Sequence, residues 1–199
     1  NMLFELDDLQ LFDSDFRIIE QKESIPSGKP SPSFGFVLTN SEIARTHVVY
    51  STTTLGVTAT LEKSTLGNFQ LQSAGNSMTI NAKDVHLENS AVAYRDPEST
   101  ATPGHFNAGD IGLTQLNANL PEFLFQNDTI IVQAESATGT DKSGLRIHSL
   151  STSAHITPET IQLKDVAAHL NQTQVNGDIL LRKTSEATFG YMQVQLRLS

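Results

Sequence analysis

Residues 111–120 read IGLTQLNANL and residues 161–170 read IQLKDVAAHL. Both use one spacing of apolar side chains: apolar, skip one, apolar, skip two, apolar, skip one, apolar, skip one, apolar. The first places Ile111, Leu113, Leu116, Ala118 and Leu120 in those slots, and the second Ile161, Leu163, Val166, Ala168 and Leu170. A helix would scatter these positions around its circumference, whereas a strand sets alternate residues on one face. The skipped pairs, Thr114-Gln115 and Lys164-Asp165, are polar. One extra residue there resets the alternation, as a β-bulge does. The pattern describes bent strands that keep one apolar face inward.

Four further stretches follow the same plan. VHLENSAVAY has Val85, Leu87, Val92 and Tyr94, with Ser90 in the middle slot and Glu88-Asn89 skipped. FELDDLQLFD has Phe4, Leu6, Leu9 and Leu11 around Asp7-Asp8. LRIHSLSTSA and FGYMQVQLRL supply looser copies. The starts are unevenly spaced, so this is a repeated strand type and not a solenoid of fixed period. Between the copies, simple alternation continues in Leu55-Val57-Ala59-Leu61 and Ile130-Val132-Ala134. Short polar turn signals separate the runs, which favours antiparallel pairing of sequential neighbours.

The expected fold is therefore all-β: a curved, mostly antiparallel sheet of sequential bulged strands folded over an apolar interior, a β-taco or open sandwich. The whole chain, 1–199, is read as one β-rich segment of a longer protein, with loops at 24–35, 95–110 and 136–144. The single helical candidate is SEIARTH, Ser41 to His47, with Ser41 as N-cap. Leu66-Gly67-Asn68 reads as a turn, and Asn176-Gly177 as a turn or a bulge.

Composition narrows the chemistry. Net charge is −9 and the basic residues never cluster, which argues against nucleic-acid binding. The chain has no cysteine, so disulfides, thiolate-bound zinc and thiol catalysis are excluded. None of the six histidines pairs with another at metal-ligand spacing, and most fall between apolar slots, facing solvent. The chain contains neither a Gly-x-Ser-x-Gly elbow nor a glycine-rich phosphate loop. No catalytic, cofactor-binding or metal-ligating residue is indicated. The ten phenylalanines mostly occupy inward strand slots, as core or as the lining of an apolar trough.

The stretch KDVHLENSAVAYRDPESTATPGHFNAGDIGLTQLNANL, Lys83 to Leu120, resembles the TamB-type translocation and assembly module proteins of the AsmA-like group. The resemblance rests on Leu87, Asn89, Ser90, Val92, Tyr94 and Asp96, then Phe106, Asp110, Ile111 and Leu113. SGLRIHSLSTSAHITPETIQLKDVAAHLNQTQVNGDI, Ser143 to Ile179, is similar to the next passage of that family, with Leu145 replacing a usual Phe. The resemblance implies an internal periplasmic segment of a protein anchored in the inner membrane. It also implies phospholipid or other acyl chains as cargo, and an outer-membrane assembly barrel met through other regions. It carries over no catalytic residue. The expected groove lining is Val85, Leu87, Ile111, Leu113, Ile161 and Leu163. The rival expectation is an exported structural or adhesive β-sandwich that binds through its loops.

Overall fold

The structure, a computed structural model, describes residues 2–19, 33–51, 56–74, 77–95, 107, 109–127, 129–157, 159–183 and 192–198. These form one curved, unclosed sheet with no helix among them. The expected all-β, mostly antiparallel architecture is what the chain adopts.

Twelve strands build the sheet. They are β1 (Met2–Asp7), β2 (Gln10–Phe12), β3 (Asp15–Ile19), β4 (Phe34–Ser51), β5 (Gly56–Ala74), β6 (Ser77–Arg95), β7 (Asp110–Gln126), β8 (Thr129–Asp141), β9 (Arg146–Ile156), β10 (Thr160–Leu170), β11 (Thr173–Lys183) and β12 (Met192–Leu198). From β4 to β12 each strand pairs antiparallel with the next. β1, β2 and β3 run one after another along the free side of β4, all parallel to it. Ten strand positions at about 4.8 Å spacing make a sheet roughly 43 Å long.

The bends have a specific backbone cause. Asp8, Gln115, Asn89 and Asp165 all adopt left-handed φ angles between 45° and 53°. Each is the second residue of a skipped polar pair. Left-handed geometry costs an ordinary residue about 1–2 kcal/mol, and Asn and Asp tolerate it best. The pairing register slips across three of them, between Leu87 and Ser90, Thr114 and Asn117, and Lys164 and Ala167. These are the bulges that the sequence spacing predicts.

Four more corners, at Asp13, Asn40, Arg45 and Asp84, have φ between 48° and 52°. After Asp13, Asn40, Arg45 and Asn89 comes Ser or Thr, whose hydroxyl donates back across the corner to the carbonyl two residues earlier. The distances are 2.9 Å for Ser14, 3.2 Å for Ser41, 3.1 Å for Thr46 and 3.1 Å for Ser90. Such local bonds satisfy a carbonyl that the turned backbone takes out of the ladder. At the other four corners an aliphatic residue follows: Leu9, Val85, Leu116 or Val166.

Corners on successive strands line up into two fold lines. The first crosses the whole sheet through Asp8, Asn40, Gly67, Asp84, Pro121, Thr152 and Asp165 to Gly177. Gly67 is required on this line, because a Cβ there would stand 2.9 Å from the Cβ of Asp84. The second runs through Asp13, Arg45, Glu62 and Asn89 to Gln115 and ends near Gly139.

Several local expectations are corrected. Ser41 to His47 is not helical; it lies inside β4. Corners at Asn40 and Arg45 interrupt the alternation there and imitate a helical period. Leu66-Gly67-Asn68 is the middle of β5, not a turn. Residues 136–141 continue β8, so the loop expected at 136–144 shrinks to the turn after Asp141. The loop expected at 24–35 ends inside β4, and that at 95–110 includes the ends of β6 and β7. Residues 24–32, 96–106 and 108 lie outside the described residues. Asn176-Gly177 is a strand irregularity opposite the Asp165 corner, not a turn.

Candidate functional site

Cross-strand partners project from the same face, so the register shows which side chains share it. One row runs Phe4, Phe36, Leu71, Ile80, Phe125, Ile130, Ile156, Ile161 and Leu181, one residue from each strand position from β1 to β11. The adjacent row runs Leu6, Leu38, Phe69, Ala82, Phe123, Val132, Ala154, Leu163 and Ile179. Every position in both rows is apolar. On the opposite face the neighbouring residues are mainly polar, as in Lys63, Lys83, His86, Glu88 and Glu122.

Burial along each strand is uneven. The well-buried residues flank the fold lines: Leu38, Ser41, Thr46, Ser64, Ala82, Val85, Ser90, Leu116, Ala134, Ala154 and Val166. Most are small, because side chains converge on the inside of a corner and only small ones fit at close packing. Away from the fold lines Phe36, Leu71, Ile80, Phe125, Ile130, Ile156, Ile161 and Leu181 are only half-buried. Each strand touches only its hydrogen-bonded neighbours, so among the described residues no second layer covers this face. A closed two-sheet sandwich would have buried those rows.

The six expected lining residues all fall on this concave face, in three different places. Ile161 and Leu163 sit on the flank before the first fold line, in the two long rows. Val85 and Leu87 lie on the floor between the fold lines, and Val85 is 8% exposed. Ile111 and Leu113 lie on the second flank, paired with Tyr94 and Val92. The other five are half-buried. What spacing alone could not locate is the pair of long rows that joins them, since register depends on pairing across strands.

The second flank ends in a carboxylate. Its row runs Val48, Ala59, Val92, Leu113 and then Asp141, which is 3% exposed. The Asp141 carboxylate accepts backbone N–H bonds from Gly112 at 3.0 Å and Ser143 at 2.8 Å. Burial alone would raise its pKa. The Ser143 side chain and those two N–H groups outweigh that and hold it below the ordinary carboxylate value. Asp141 thus ties the β8–β9 turn to the start of β7, and both oxygens are engaged by the chain itself.

The outer face carries ion pairs along its corners. Arg45 donates to Asp13 at 2.6 and 2.9 Å, and its hydrogen bonds hold the Asp13 carboxyl below its ordinary value. Lys63 pairs with Glu88 at 2.7 Å, and Lys142 with Asp110. The Arg45–Asp13 and Lys63–Glu88 pairs are exposed and of little energetic weight. His148 and His169, 21 residues apart in sequence, stack across β9 and β10 with ring centroids 4.7 Å apart. Spacing along one strand could not show that pair. Among the described residues no three His, Cys, Asp or Glu side chains are grouped to hold a metal ion, and no helix is long and apolar enough to cross a membrane.

No protein-family model, curated protein or solved structure matches this chain.

Proposed function

We propose that this chain is a non-enzymatic section of a periplasmic lipid conduit, in which the concave face shelters acyl chains from water. The parent protein would be anchored in the inner membrane and support phospholipid transport and outer-membrane biogenesis, as the TamB-like passages suggest. One observation carries the reading: two unbroken apolar rows run from β1 to β11, and away from the fold lines their side chains are half-buried or exposed, with no covering layer among the described residues. Each methylene laid against such a face contributes about 0.8 kcal/mol. Rows of aliphatic and aromatic side chains hold acyl chains without selecting a headgroup, which suits passage along the sheet better than tight capture.

The test is titration of the purified chain with a fluorescent acyl-chain probe, followed by competition with phospholipid. Saturable binding displaced by phospholipid is expected, weakened in both Leu113→Glu and Leu163→Glu. Photo-crosslinkers placed at those two positions in cells should recover lipid. A folded chain that shows no saturable binding sinks the conduit reading and returns the loop-binding structural module as the better alternative.

A further inference from the structure

His148 and His169 meet on the outer face because β9 carries one extra residue. Ala168 pairs with Leu150 and His169 with Ser149, but Leu170 pairs with Ile147, so His148 and Ser149 together oppose His169. In an unbroken register residue 148 would pair with Leu170 and project into the trough, as Leu150 does. The bulge turns it outward instead, and bulges characteristically re-aim a side chain in this way. The two imidazoles then lie on neighbouring strands with centroids 4.7 Å apart and ring planes 37° apart. His148 is exposed and His169 half-buried, so water and solutes reach both.

Imidazole nitrogen is a ligand of choice for zinc, copper and nickel, whereas calcium and magnesium take oxygen. Two nitrogens each about 2.0–2.1 Å from one tetrahedral metal stand about 3.3 Å apart. Rings whose centroids are 4.7 Å apart reach that separation by small rotations about their own side-chain bonds. The facing positions on the two outer neighbours, Thr138 of β8 and Gln174 of β11, are uncharged and leave room for water as the remaining ligands. Arg146, two residues before His148, is exposed, and its charge weakens such a site without blocking it.

We propose that His148 and His169 together bind one divalent transition-metal ion, which braces β9 against β10 on the outer face. The ion joins residues 21 positions apart in sequence, so it binds the folded sheet better than the unfolded chain and stabilises it by mass action. The brace falls where the strands are 11 residues long and each holds only to its hydrogen-bonded neighbours. It lies on the opposite face from the apolar rows and stands whether or not they carry lipid.

Calorimetric titration of the purified, untagged chain with zinc or copper(II) at neutral pH tests this. One ion per chain is expected. His148→Asn and His169→Asn should each weaken binding at least about tenfold, since either leaves a single imidazole. His86→Asn, at an exposed histidine on the outer face of β6, should leave binding unchanged. Zinc should also raise the denaturant midpoint of the unaltered chain and of His86→Asn, but not of the two bulge-site variants. Absence of saturable binding overturns the proposal, and so does binding that survives both bulge-site substitutions. Circular dichroism reports whether each variant keeps its strands. Should one lose them, nuclear magnetic resonance of the unaltered chain decides: copper(II) should broaden the imidazole signals of His148 and His169 first, and equal broadening of all six histidines overturns the proposal.

Discussion

The sheet has a wide half and a narrow half. β4 to β7 are 17–19 residues long and cross both fold lines, whereas β9 to β11 are 11 residues long and cross only the first. β4 and β6 each hold two left-handed corners, β10 holds one, and β9 holds none. Strand length and corner number thus set the cross-section: a floor with two flanks in the wide half, and a floor with one flank in the narrow half. Both halves share the two long apolar rows, so the flank before the first fold line is the continuous part of the trough. The second flank is an addition that stops at Asp141.

The largest effect should come from the difference between fold line and open flank. Leu116 is 8% exposed beside the second fold line, while Ile156 is half-buried in an uncovered row. Leu116→Ala should destabilise the protein by about 2–4 kcal/mol, within the usual range for a buried leucine. Ile156→Ala should cost less than half as much, since part of that side chain is already in water. Chemical denaturation of both variants gives the comparison directly. Equal losses would mean that the row is covered, and the open-trough description would fail.

Those corners also show how far the sequence could be read. At Gln115 and Asp165 the skipped polar pair stands between apolar neighbours, so the bend is visible as a break in alternation. At Asn40 and Arg45 it is not, because the inward residues that follow are Ser41 and Thr46, which look like outward ones. Their hydroxyls bond the chain's own carbonyls, and this lets polar residues occupy the inside of a bend. The pairing of β4 with β5 shows no register slip across either corner, since both strands bend together. The site was legible to a similar depth. The six expected lining residues could be assigned to one face from spacing, but not to rows, because a row exists only once neighbouring strands have chosen a register.

The end of the wide half can be tested through Asp141. Its folded pKa lies below the ordinary carboxylate value, so its contribution to stability is fully present above that value. The contribution is lost as the pH falls through the folded pKa. Asp141→Asn should remove about 1–3 kcal/mol at neutral pH, the range for a buried polar partner left poorly matched. It should also flatten the loss of stability on acidification below about pH 4, the ordinary carboxylate value. Denaturant midpoints measured at neutral and acid pH for both proteins give the sign. An Asn variant whose acid sensitivity equals that of the unaltered chain would remove Asp141 from the account of where the second flank ends.

The smallest effect separates the corners themselves. Gln115 holds φ of 52° without the short polar side chain that suits Asn and Asp to that conformation. Gln115→Gly should therefore stabilise the wide half, or leave it unchanged within about 1 kcal/mol, as relief of strain competes with the greater freedom of glycine in the unfolded chain. Asn89→Val, at φ of 45°, should cost about 1–2 kcal/mol, because a β-branched residue is strained there. The sign difference between the two substitutions matters more than either magnitude. If valine were tolerated at residue 89 as well as glycine at residue 115, the left-handed conformation would not be what bends the sheet. The fold lines would then have to be set by the crowding of side chains on the concave side alone.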